Sequence, residues 1–151
     1  MMHSNRGFAL LISIILTSVV LAVGIALLDI AYKQVLLASS SKNSQYAFYN
    51  ADSALECALY WDQKFNAFNY SSPMSSASII CDTRRVQSYA SNSSGGTRVT
   101  TFTLPCASGG TSATITVYKK SSGSTDIYSN GYNSCNTSLN TRIERGLKAH
   151  Y

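Results

Sequence analysis

Few side chains in this 151-residue chain are suited to acid–base or nucleophilic chemistry. The only histidines are His3 and His150, one near each end. The carboxylates are Asp29, Asp52, Glu56, Asp62, Asp82, Asp126 and Glu144. A Ser–His–Asp arrangement would have to join His150 to Asp82 or Asp126, and no segment resembles a nucleophile elbow. Asp52, Glu56 and Asp62 fall in a helical pattern, where a solvated or capping role is expected. No Gly-rich phosphate loop, H-E-x-x-H pair or EF-hand loop occurs. The expectation is therefore no catalytic residue, no metal, no cofactor and no small-molecule substrate.

The four cysteines are the other reactive set: Cys57, Cys81, Cys106 and Cys135. None lies in a C-x-x-C pair, which argues against a zinc knuckle. An even number behind an export-type segment reads as two disulfides in an oxidising compartment. Four buried thiols in a cytosolic protein is the competing reading, and it would have to explain away the apolar N-terminal run. Four cysteines permit three pairings, and the sequence does not choose between them. Local pairing, Cys57 with Cys81 and Cys106 with Cys135, would staple a helix to the first segment after it and tie a sheet to the C-terminal portion.

The elements that must position these residues begin at the N-terminus. Phe8 to Leu28 reads FALLISIILTSVVLAVGIALL, 21 residues without a charge. As a helix it would cover about 32 Å, enough for a hydrocarbon core of about 30 Å. Arg6 and His3 precede the run, and Arg6 favours an N-terminus on the inside. Asp29 and Lys33 come directly after it, four apart and able to pair. The run fits a plain signal anchor, a cleaved secretory signal with a small-x-small site at Gly24-Ile25-Ala26, or a retained span whose short leader is cut on the cytoplasmic side.

The residues after the span separate these readings. Residues 29–65 contain neither Pro nor Gly and are rich in helix formers. Ala47, Phe48, Ala51, Ala54, Leu55, Ala58 and Leu59 recur at helical spacing and form an Ala-dominated stripe. Such a stripe would let a sheet approach closely, with Tyr49, Ser53, Glu56 and Tyr60 on the other side. Ser39 to Gln45 has no apolar face and reads as solvated helix or a joint. A helix from Phe8 to about Asp62 would be roughly 80 Å long. Within the span, Ala9, Ser13 and Thr17 are four apart and Gly24 lies two turns further on. Small residues so spaced allow close helix packing in lipid. The alternative is that Ser and Thr bond back to their own helix carbonyls.

Asn5-Arg6-Gly7-Phe8-Ala9-Leu10-Leu11 resembles a prepilin peptidase site. The resemblance implies a cut between Gly7 and Phe8, a seven-residue leader and a methylated Phe8. Ala47 to Asp62, AFYNADSALECALYWD, resembles the stalk helix of type IV pilin-like proteins from small-genome candidate-phylum bacteria. Ser129 to Cys135 and Arg142 to Leu147 resemble the C-terminal part of the same group. The implied protein is a minor pilin or pseudopilin. It would sit in the inner membrane with its N-terminus inside, be processed by prepilin peptidase and assemble with other pilin subunits by helix packing, into a pilus or a secretion pseudopilus. Major pilins carry Glu at the fifth mature position, and here that position is Ile12. The departure resembles PilX-type or tip-located minor pilins. Some pseudopilins bind calcium, which raises Asp126 with Asn130 or Asn133 as oxygen ligands.

Past Phe65 the sequence turns to short alternating runs. Strands are expected at Ser78–Cys81, Arg84–Tyr89, Arg98–Leu104, Ala113–Lys119, Thr125–Tyr128 and Thr141–Tyr151, with turns at Asn92–Gly96, Ser108–Thr111 and Ser121–Ser124. The expected fold is α+β, a long N-terminal helix packed on a small antiparallel sheet. The divisions are a leader (1–7), a transmembrane helix (8–28), a stalk helix (29–65) and a β-rich extracytoplasmic head (66–151). Charged residues are only 13% of the chain and the net charge is +5. The Lys and Arg residues are dispersed, so a DNA ligand has weak support. A static single-span protein with an adhesive head is the main alternative.

Overall fold

The computed structural model of the chain describes residues 6–107 and 109–151, apart from the side chains of Arg6 and Gly7. Most of the expected leader and Ser108 lie outside the described residues. One helix, α1, runs Arg6–Phe65 without interruption, including the polar run Ser39–Gln45. The absence of Pro, and of Gly beyond Gly24, leaves nothing to break it. The chain divides into two compact units at Ser41/Lys42.

The described residues of the first unit are helix alone. Every described side chain from Phe8 to Ser41 is exposed. This is the one helix among the described residues long and apolar enough to cross a membrane. Asp29 and Lys33 pair at 2.8 Å, and both are well exposed.

The second unit holds the rest of α1 and seven strands. A 3-10 turn at Ser76–Ser78 precedes β1 (Ile80–Cys81), which pairs with β2 (Arg84–Arg85). The strands β3 (Gln87–Ser94), β4 (Thr97–Pro105), β5 (Thr111–Lys120), β6 (Thr125–Tyr132) and β7 (Glu144–His150) form an antiparallel meander in that order. Alternation decides the inward face. Thr100, Phe102 and Leu104, then Ala113, Ile115 and Val117, then Thr125, Ile127 and Ser129 are buried on three successive strands. Phe68 stacks on Phe102 with centroids 5.5 Å apart, and Ile79 completes the centre of the core.

The helix closes this core with its alanines. Ala47, Ala51, Ala54 and Ala58 are fully buried, and Leu55 and Leu59 are half-buried. Phe48, expected in the same stripe, is instead 44% exposed. The reason is how closely the sheet approaches. A Cβ added to Gly131 on β6 would collide with the backbone of Ala47 and Ala51. Only alanine-sized side chains fit such a seam, and Phe48 is left at its edge. After Phe65 the chain turns at Asn66, whose φ of 50° is left-handed. Asn66 N–H donates to the Asp62 carbonyl and Ala67 N–H to the Trp61 carbonyl, so the last turn is satisfied.

Several expected strand limits are corrected. The run expected at Ser78–Cys81 is a turn followed by a two-residue strand. Arg84–Tyr89 is split at Val86, whose side chain turns into the core. β3 then extends through Asn92–Ser94, where a loop was expected, because the tight turn needs only Gly95 and Gly96, both at positive φ. β6 runs four residues further than expected, to Tyr132, and β7 begins at Glu144 instead of Thr141.

Candidate functional site

The expected assembly residues all lie on α1. Phe8 and Ile12 are exposed apolar side chains. No carboxylate occurs between Phe8 and Leu28. The small residues behave as the self-satisfied alternative describes. Ser13 Oγ donates to the Leu10 carbonyl at 2.8 Å, and Thr17 Oγ1 donates to the carbonyls of Ser13 (2.9 Å) and Ile14 (3.0 Å). Their hydroxyls therefore have acceptors within their own helix. Beyond its chain neighbours and its own helix backbone, no described atom lies within 4 Å of where a Cβ on Gly24 would stand, and Val20, Leu21, Ile25 and Leu28 rise around it as a shallow apolar groove.

In the head, the four cysteines form two disulfides, Cys57–Cys81 and Cys106–Cys135, with Cα separations of 5.8 and 6.2 Å. The first joins α1 to β1. Beside it, Trp61 Nε1 donates to the Ile80 carbonyl at 2.9 Å. The second joins the loop after β4 to the segment after β6. There Gly110 lies so close to Cys135 that a Cβ would strike its carbonyl, and its φ of +84° also favours glycine.

Besides Arg145 Nε on β7, which donates to Ser44 Oγ at 2.7 Å, three polar ties hold the helix to the meander. Ser129 Oγ on β6 donates to the Ala51 carbonyl at 2.7 Å, and Asn50 Nδ2 donates to the Tyr132 carbonyl at 2.6 Å. Asp62 makes the third. Its side chain is only 1% exposed, so the expected solvated or capping role is corrected. Lys119 Nζ and Tyr151 Oη both reach Asp62 Oδ2 at 2.6 Å, while Oδ1 has no partner among the described residues. Burial, with the Asp62 carboxylate beside it, pushes the Tyr151 hydroxyl well above the ordinary tyrosine range. A signal for this cluster existed. Asp62 is four residues past Ala58 and so continues the buried stripe.

The two aspartates weighed as partners for His150 separate. Asp82 lies on the β1–β2 turn, with Thr83 also at positive φ. Asp126 accepts from His150 Nδ1 and from Lys148 Nζ on Oδ1, each at 3.0 Å. Hydrogen bonding from Lys148, opposed by partial burial and aided by His150, holds the Asp126 carboxyl below the usual carboxylate range. This is a His–Asp pair whose carboxylate is shared with a lysine. Its basic surroundings, including Lys120 at 4.0 Å, disfavour a calcium ion. Asn130 lies opposite Gly146 and Asn133 is bonded to Ile143 N–H, so neither joins Asp126. Among the described residues no group of three His, Cys, Asp or Glu side chains is placed to hold a metal.

No family model, curated protein or solved structure matches this chain.

Proposed function

We propose that the chain is a minor pilin or pseudopilin, a structural subunit that assembles through its apolar helix and does no catalysis. The observation that supports this most is the continuity of α1. A 21-residue uncharged run passes without a break into a helix whose far end packs, through alanines, against a disulfide-bridged antiparallel sheet. A signal peptide destined for removal has no need of that continuity. In this reading prepilin peptidase cuts after Gly7 and leaves Phe8 as the N-terminus for methylation. The mature subunit waits in the inner membrane with its head outside and then enters a filament.

Assembly in lipid rests on packing, because lipid tails give apolar helices no hydrophobic drive to associate. The low profiles of Ala9, Ser13, Thr17 and Gly24 supply close approach, and Leu and Ile side chains fill the neighbouring grooves. A carboxylate in a span costs about 2.5–3.5 kcal/mol and calls for a partner. Ile12 carries neither that cost nor that pairing, which suits an accessory or tip position better than the main shaft.

N-terminal mass analysis of the chain recovered from membranes tests the reading. A chain beginning at Phe8, with or without a methyl group, is expected. An intact Met1 favours a static single-span protein, and a start at Leu27 overturns both.

A further inference from the structure

The outer face of the sheet holds a polar cleft that helix assembly does not use. Strand register places Tyr118 opposite Asp126 and Thr97 opposite Lys120. Tyr118 and Tyr128 meet edge to face, with centroids 5.6 Å apart and rings at 83°. With Thr97, Lys120 and Asp126 they line a cleft of about 320 Å³. That is the lower end of the range for small-ligand sites.

Asp126 is the group that gives the cleft its chemistry. One oxygen, Oδ1, is engaged by Lys148 and His150 at 3.0 Å each. The other, Oδ2, has among the described residues only Lys120 Nζ at 4.0 Å, too far for a hydrogen bond. The carboxylate is thus fixed in place through one oxygen and keeps an acceptor for a ligand on the other. Lys120 brings donors from the adjoining strand end. One face of Tyr128 is occupied by the Lys148 ammonium, 4.9 Å from its centroid, which leaves Tyr118 as the ring best able to stack.

Charge then sorts the ligand classes. A cation would be drawn to the rings and Asp126 but would meet Lys120 and Lys148. An anion would meet Asp126 at the centre of the cleft. A neutral polyol escapes both penalties. It can donate to a carboxylate, accept from an ammonium and lay a C–H face on an aromatic ring. We propose that this cleft binds a neutral sugar ring, stacked on Tyr118, with a hydroxyl donating to Asp126 Oδ2 and a ring or hydroxyl oxygen accepting from Lys120. The site stands whether or not the helix assembles into a filament.

The test uses the full chain in lipid nanodiscs free of glycolipid, which avoids sugar detergents. Cellohexaose, mannohexaose, chitohexaose and hexagalacturonate are added separately, and binding is followed by saturation-transfer NMR. At least one of the three neutral hexamers is expected to bind at millimolar concentration. Tyr118→Ala and Asp126→Asn should each weaken it roughly tenfold or more, while Tyr118→Phe keeps it. Lys120→Ala changes a half-exposed side chain at a strand end and should weaken binding several-fold without disturbing the head, so it serves if the other variants misfold. Absence of all neutral binding overturns the proposal. So does binding of hexagalacturonate alone, or neutral binding unchanged in Lys120→Ala and in a folded Tyr118→Ala chain.

Discussion

The two parts of α1 are built from the same backbone and the same abundance of small residues, yet they use those residues in opposite ways. Between Phe8 and Ser41 each small side chain faces outward, and the Ser13 and Thr17 hydroxyls bond their own helix. Between Ala47 and Ala58 the alanines are fully buried under a sheet that approaches to backbone contact at Gly131. The first part is covered by nothing among the described residues. The second is finished within the chain. Small residues therefore signal close approach in both parts, and whether the approaching partner is intra- or intermolecular depends on what the rest of the sequence supplies.

The largest break in that comparison should come from the disulfides. On the chain-entropy model, bridges with sequence separations of 24 and 29 are each worth about 3.5 kcal/mol. Replacing all four cysteines by Ser should unfold the head while the apolar helix stays inserted. Protease sensitivity of the head, with a protected membrane fragment, is the measurement. A head still resistant without its bridges would mean that the Ala seam alone suffices.

Paired glycine substitutions sharpen the contrast next. Gly131→Ala drives a methyl group into helix backbone that cannot move aside, and should cost about 3 kcal/mol or more of head stability in denaturant titration. Gly24→Ala meets nothing among the described residues beyond its own stretch of helix, so head stability should not change. If the groove at Gly24 is a packing face, the same variant should reduce filament incorporation.

Lys119→Met should cost about 3 kcal/mol, because it leaves the buried Asp62 carboxylate with Tyr151 as its one remaining polar partner. Tyr151 adds a pH signature. Its folded pKa is raised, so its contribution is fully present below the ordinary tyrosine value of about 10 and is lost as pH rises above it. Head stability should fall more steeply above that pH in the parent chain than in Tyr151→Phe. Equal slopes would remove Tyr151 from the account.

The smallest effect is expected at Thr17→Val. The Thr17 hydroxyl already bonds the Ser13 and Ile14 carbonyls, so its loss should change insertion or assembly by less than about 0.5 kcal/mol. A large assembly defect would show that the hydroxyl turns to a neighbouring helix.

Much of this arrangement was legible in the residues themselves. The uncharged run and the Pro-free continuation dictate helix because no Pro, and no Gly beyond Gly24, interrupts the ladder of helical hydrogen bonds. The β5 alternation, with Ile115 and Val117 inward and Thr114, Thr116 and Tyr118 outward, follows from the period of a strand. Ser39–Gln45, expected as solvated helix or a joint, is helical, since a polar helix face is no obstacle to helical hydrogen bonding.

Sequence alone determined the types of the long helix and the central strands, because their periods are local properties of the chain. Only the tertiary structure decided which cysteines meet, that Phe48 falls outside the seam, that Asp62 is buried under Lys119 and Tyr151, and that His150 shares Asp126 with Lys148. Each of these depends on strand register and helix–sheet spacing between residues distant in sequence, and local patterning does not encode such distances.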